Sequence, residues 1–283
     1  MRRVIYSWYY DIPTDELVSH HESKDKFKEY YDWLLASQQC YARKIDVDYK
    51  HFTADNNFMN YQKWFSDNYP EVSTYNVVNF YKIHLMYELA KDYDEILYLD
   101  LDVIPVTDLN FFEEFDLSKG IAILSGTGIN QKPIRKGDTL KYTHDVRSPM
   151  AKLWNSKCML AELDFDIDTP SVFNTAIVGA RACDLHALKY FDDFKDTLNL
   201  MSEMITEDFY PETIRCMFGY DNETLWGVKT YINNIKWQEL GDEWHYFMDN
   251  WSYVRSASKF IHCVSKDFEY VRQWCEKNNI QFV

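Results

Sequence analysis

Apolar residues along the chain follow two spacings, one near 2 and one near 3.6, and the change between them marks the predicted elements. Val4-Ile5-Tyr6-Ser7 reads as a first strand, with Trp8-Tyr9-Tyr10 in the loop at its C-terminal end. Residues 25–44 have helical spacing through Phe27, Tyr30, Tyr31, Leu34, Leu35 and Tyr41. A short strand over 49–53 follows, then a helix over 60–68 that Tyr69-Pro70 stops. Residues 77–90 form a strongly apolar helix that leads into 93–105, a buried strand ending in Asp100 and Asp102. This alternation predicts an α/β fold with a mainly parallel sheet, whose ligands bind beyond the carboxyl ends of the strands.

The second half is less regular. Residues 121–124 read as a strand and 126–148 as a long polar loop carrying Gly126, Gly128, Pro133 and Gly137. Helix is predicted over 148–163, strand over 172–179 with Asn174 polar in an apolar run, and one amphipathic helix over 182–204. Asp221 is a natural N-cap for a helix over 222–232, Phe260-Ile261 runs into His262, and 268–277 closes the chain as a helix. No repeat or linker divides the sequence, so a single domain over 1–283 is expected.

Composition narrows the class. With 46% hydrophobic and 27% charged residues, the 283-residue chain is that of a soluble globular protein with a substantial core. A net charge of −15 argues against a nucleic-acid or anionic-membrane partner. It leaves an anionic substrate open, provided a metal and local cations offset it. The six cysteines lie far apart with no Cys-X-X-Cys pair, which disfavours a zinc site or a disulfide scaffold and suits reduced thiols. No signal-length or membrane-length apolar run is found, so a cytoplasmic enzyme is expected, in a microbe or a virus-infected cell. Aromatic content of 17% suits sugar-binding platforms, although most such rings serve the core.

The chemistry centres on Asp100 and Asp102. In an extended chain the two side chains project from one face, where carboxylates repel and are costly to bury unpaired. A divalent cation removes both problems, and hard oxygen ligands suit Mn²⁺ or Mg²⁺. The plain alternative is a strand end that meets solvent. His262 adds a nitrogen donor, giving Asp100, Asp102 and His262 as the metal set, and Lys266 adds a cation for a phosphate oxygen.

These residues carry a resemblance. The span from Asn76-Val77-Val78-Asn79-Phe80-Tyr81-Lys82 through Tyr98-Leu99-Asp100-Leu101-Asp102-Val103-Ile104-Pro105 resembles GT-A fold nucleotide-sugar glycosyltransferases. It is closest in pattern to family 8, the glycogenin and bacterial galactosyltransferase group. Phe173-Asn174-Thr175-Ala176 is similar to that family's Phe-Asn-X-Gly strand, with Ala176 where Gly is usual. Asp221-Asn222-Glu223 is similar to its Asp-Gln-Asp motif, and His262 through Lys266 to its late His…Lys segment, here shorter and without Gly.

The resemblance implies one Rossmann-like GT-A domain, with residues 1–105 as nucleotide-binding half and 106–283 as acceptor-binding half. Its reaction is transfer of a hexosyl or pentosyl group from a nucleotide-diphosphate sugar, expected to be a UDP-sugar, to a glycan acceptor with Mn²⁺ or Mg²⁺. Asp102 would bind the metal, Asp100 the metal and ribose, His262 would be the third ligand, and Lys266 would touch the diphosphate. Lys82 stands where the family often has Arg near the donor, and Tyr6, Ser7 and Trp8 would border the base. Asn174 and Asp221 would face sugar and acceptor, with Asn222, Glu223 and Asp221 as catalytic candidates. Asn222 beneath the anomeric carbon implies retention of configuration. A carboxylate of Glu223 or Asp221 on the acceptor hydroxyl implies inversion.

Three rivals remain. A nucleotidyltransferase needs a Gly-rich basic loop after the first strand, where Trp8-Tyr9-Tyr10-Asp11 stands instead. A metal phosphohydrolase needs more carboxylates and histidines. A non-catalytic carbohydrate- or nucleotide-sugar-binding protein on the same scaffold explains the aromatics but not Asp100, Asp102, His262 and Lys266 together.

Overall fold

The computed structural model describes residues 1–16, 21–126, 149–167, 169–208, 210–249 and 252–282. Its strands in chain order are β1 (Arg3–Tyr9), β2 (Asp48–Thr53), β3 (Glu95–Leu99), β4 (Val103–Pro105), β5 (Ile121–Ser125), β6 (Phe173–Arg181), β7 (Trp237–Glu239), β8 (Tyr246–Phe247) and β9 (Phe260–His262). Six of them form a central sheet in the order β2-β1-β3-β6-β5-β7, and three form a small sheet, β4-β9-β8. In the central sheet β6 alone is antiparallel to its neighbours, and the rest run one way. The mixed, mainly parallel α/β arrangement read from the sequence is the one observed.

Both faces of that sheet are covered, which is why its strands read as nearly continuous apolar runs. Val4, Tyr6, Trp8, Ile96 and Tyr98 pack to one side, against the Asn56–Asn68, Thr74–Leu89 and Asn222–Ile232 helices. Ile5, Leu97 and Leu99 pack to the other, against the end of the His21–Lys44 helix and against Val103 and Phe260 of the small sheet.

Several boundaries differ from expectation for local reasons. Trp8 and Tyr9 belong to β1, paired with Phe52 and Thr53, and do not form a loop. The helices predicted from 60 and 77 begin at Asn56 and Thr74 because Asp55 and Ser73 cap them, accepting from the amides of Phe58 (2.9 Å) and Asn76 (3.3 Å). The single helix predicted over 182–204 is two, Ala182–Leu188 and Phe194–Thr206, parted by left-handed Lys189 (φ 51°) and Asp193 (φ 53°). Of the loop predicted over 126–148, residues 127–148 lie outside the described residues. The Asn222–Ile232 helix with its Asp221 cap and the Phe268–Lys277 helix stand where the sequence put them.

Candidate active site

The two aspartates do not sit on an extended chain. β3 ends at Leu99, and Asp100-Leu101-Asp102 forms a turn closed by the Val103 amide donating to the Asp100 carbonyl at 2.9 Å. The turn carries the chain from the central sheet into the small one, so the convergence of Asp100 and Asp102 comes from chain reversal and not from pleat. Three further ties fix it. The Asp100 amide donates to the Ala176 carbonyl of β6 at 2.8 Å. Gln38 Nε2 donates to the carbonyls of Asp100 (2.8 Å) and Val103 (2.9 Å). β4 pairs with β9 so that Val103 faces His262, and the Cys263 amide donates to the Asp102 carbonyl at 2.9 Å. Strand register thus delivers His262 to Asp102 across 160 positions of sequence (102 to 262).

One donor atom from each of Asp100, Asp102 and His262 falls within 4.8 Å of the others. Asp102 and His262 are buried, and Asp100 is partly open. Two carboxylates and one imidazole form a donor set that suits a divalent ion with mixed oxygen and nitrogen ligands. Charge, however, does not demand one. Lys82, buried on the Thr74–Leu89 helix, places Nζ 3.2 Å from Asp100 Oδ1, and Lys266 Nζ donates to Asp102 Oδ2. Two ammonium groups therefore match the two carboxylates and relieve their repulsion. Burial alone would raise the Asp102 carboxyl, but Lys266 and then His262 hold it well below the usual range. Lys266 is raised in turn, because Asp102 outweighs the burial that would lower it. Tyr98, pushed well up by burial and then by Asp100, stays a neutral donor to Asp100 Oδ1.

Tyr6, Ser7 and Trp8 turn inward, contrary to a role of their side chains at a base. Tyr6 donates to the Lys82 carbonyl at 2.7 Å, and Trp8 packs between Phe58 and Tyr81. Ser7 lies 2.8 Å from His51 Nδ1 and 2.7 Å from the Tyr49 hydroxyl, which itself donates to Gln38 Oε1 at 3.0 Å. The reason is that β1 continues to Tyr9 under cover on both faces. What opens at the carboxyl ends of β1 and β2 is a cavity of about 510 Å³ walled by Tyr9, Tyr10, Tyr31, Lys28 and Thr53, in the size range of small-molecule sites. It adjoins the aspartates' surroundings through Phe27, whose ring lies 5.5 Å from that of Tyr9 and 5.2 Å from Lys266 Nζ.

A second group lies beyond β6. Pairing of β5 with β6 shifts register after Ile123↔Val178 to Leu124↔Asn174, so Thr175, Ala176 and Ile177 are skipped. Such bulges re-aim side chains. Here Asn174 Oδ1 accepts from the Ala176 amide (3.0 Å), while the Thr175 amide donates to Glu223 Oε1 (2.8 Å). Asn222 Nδ2 donates to Thr175 Oγ1 at 2.8 Å. Lys152 donates to Glu223 Oε2, and Asp221 Oδ2 accepts from the amide (2.8 Å) and hydroxyl (2.7 Å) of Thr224. Burial would raise Glu223, but Lys152 and then Lys82 hold it below the ordinary range, whereas burial leaves Asp221 raised. That Lys82 acts on both Asp100 and Glu223 makes one electrostatic neighbourhood of the two groups.

Gln38, Tyr98, Lys152 and His245 were not legible as site residues. Tyr98 alone had a usable signal, standing two positions before Asp100 near the end of β3. His245 is buried, with Nε2 3.0 Å from His262 Nδ1.

No family model matches the sequence, and no curated protein matches it. Solved structures it is similar to include glycosyltransferases. An active-site mutant of LgtC aligns at 12% identity over 92% of this chain and 87% of that one, with a TM-score of 0.46. Mouse xyloside xylosyltransferase 1 aligns at 12% identity over 93% and 98% of the two chains, with a TM-score of 0.43. A glycosyltransferase involved in glycosylation of the major capsid of PBCV-1 aligns at 10% over 98% and 100%, with a TM-score of 0.42. Overlap that weak carries no argument for chemistry, which rests on this chain's own side chains.

Proposed function

We propose that the chain is a metal-dependent glycosyltransferase of the GT-A type that moves a sugar from a nucleoside-diphosphate sugar, a UDP-sugar, to a glycan acceptor. The observation that carries the reading is the convergence of Asp100, Asp102 and His262 within 4.8 Å at the end of β3, flanked by two lysines. A divalent ion held by these three would supply charge neutralisation for a departing diphosphate.

The chain's own residues do the rest. Lys266 sits in a left-handed turn (φ 58°) with its ammonium on Asp102, from which it swings to a diphosphate oxygen when Asp102 takes another partner. Lys82 holds Asp100 and adds fixed positive charge. Tyr9, Tyr10 and Tyr31 offer faces for the base in their cavity. Across β6, Glu223 is kept anionic and so is a weak base. It suits stabilisation of positive charge growing at the anomeric carbon better than proton removal. Asn222 positions Thr175 beside it, and Asp221 caps the helix that presents both. In this reading residues 1–105 serve the nucleotide and 106–283 the acceptor, with Asn174 at the sugar.

A non-catalytic nucleotide-sugar-binding protein is favoured by one fact, the neutrality of the Lys82/Lys266 and Asp100/Asp102 cluster without a metal. UDP release from a panel of UDP-sugars with Mn²⁺ separates the two. Turnover is expected in the wild type and a fall of about 100-fold or more in Asp102→Asn. Donor binding without any release, in the presence of varied glycan acceptors, would favour the binding protein.

A further inference from the structure

A histidine that gives a metal its Nε2 must carry its proton on Nδ1, and something must receive that proton. His262 Nε2 faces Asp102 Oδ2 at 3.6 Å, on the side of the carboxylates. Its Nδ1 faces His245 Nε2 at 3.0 Å. His245 is not held by that bond alone. The Phe247 ring lies 4.7 Å from it at an interplanar angle of 11°, and the same ring lies 5.0 Å from His262. Phe247 is paired with His262 in the small sheet, so strand pairing sets the distance between the two imidazoles.

The other nitrogen of His245 is informative. Nδ1 is buried and has no hydrogen-bond partner among the described residues. Leaving a ring nitrogen unpaired in the interior is unfavourable, and a phenylalanine would fill the space without that cost. A histidine at this position makes sense where its Nε2 is needed. We infer that His245 is a positioning residue for the site: its Nε2 accepts a hydrogen bond from the Nδ1–H of His262, which fixes the His262 tautomer and leaves the Nε2 lone pair turned toward Asp100 and Asp102. This rests on the metal reading of the cluster. It adds a residue outside the ligand set, supplied by the segment just before β8.

The test is Mn²⁺ affinity, read from the electron paramagnetic resonance signal of free Mn²⁺, in wild type, His245→Phe and His245→Gln. His245→Phe keeps the ring and removes the acceptor, and is expected to weaken binding about 10–100-fold. His245→Gln, whose Oε1 accepts a hydrogen bond, should restore most of it. Unchanged affinity in His245→Phe, with Mn²⁺ still bound by the wild type, would overturn the inference. Failure of the wild type itself to bind Mn²⁺ would overturn the metal reading beneath it. If His245→Phe does not fold, ¹⁵N NMR of the wild-type His262 ring, loaded with diamagnetic Zn²⁺, decides. A proton on Nδ1 supports the role, and a proton on Nε2 contradicts it.

Discussion

Glu223 is a buried carboxylate held charged first by Lys152 and then by Lys82. In the wild type its lowered pKa means that the ion pair's contribution to stability is present above about pH 4.3 and is lost as pH falls through the lower folded-state value. Lys152→Met reverses this. With the ammonium gone, burial pushes Glu223 up, and its contribution is lost as pH rises through the new value. The variant should be destabilised by about 3–5 kcal/mol near neutral pH. Urea melts at about pH 5 and about pH 7.5 should show it closing part of the gap to wild type at the lower pH; parallel losses at both would contradict the account. Legibility at this scale was uneven. Asp100, Asp102 and His262 were readable because each ends an apolar run, so a charged or ligating side chain there is conspicuous. Lys152 gave no such sign, since on the surface of a helix it looks like any solvated lysine, and only the tertiary approach of Glu223 buries it.

At the scale of elements, the turn after β3 and the bulge in β6 place the chemistry. Gln38, on the His21–Lys44 helix, braces the turn through the carbonyls of Asp100 and Val103. Gln38→Leu fills the space but takes the Gln38 donor from the Val103 carbonyl and leaves the Asp100 carbonyl with the Val103 amide alone, which should cost about 1–3 kcal/mol in a urea melt and weaken nucleotide binding in step. A loss of stability with intact binding would show that the turn holds without it. Behind the bulge, Gly179 lets β6 pass close to Phe111, where an added Cβ would lie 2.5 Å from Cε1 of that ring. Gly179→Ala should therefore cost about 1–3 kcal/mol, measured in the same way. Long elements were legible because their periodicity extends over many residues, as in the Asn222–Ile232 helix. The break at Lys189 was not, having no Gly or Pro. Remote side chains hold it: the Tyr190 amide donates to the Tyr87 hydroxyl at 2.9 Å, and Asn233 Nδ2 donates to the Leu188 carbonyl at 3.0 Å. β7 and β8, of three and two residues, are too short to show alternation.

Across the whole molecule a net charge of −15 surrounds a site that holds its cations close to its carboxylates. Such a surface repels a nucleoside diphosphate unless the site itself gains positive charge, so nucleotide binding should depend strongly on the divalent ion. No helix among the described residues is long and apolar enough to cross a membrane. The proposed function requires the Asp100–Asp102–His262 cluster to bind a nucleoside diphosphate together with a divalent metal. Thermal unfolding with UDP, GDP and other nucleotides, with and without Mn²⁺, tests it directly, because a ligand of the native state raises the melting temperature by mass action. A rise is expected with UDP and Mn²⁺ together, little with either alone, and none in Asp102→Asn. A wild-type melting temperature that no nucleotide shifts with any divalent ion, or an equal shift in Asp102→Asn, would contradict it.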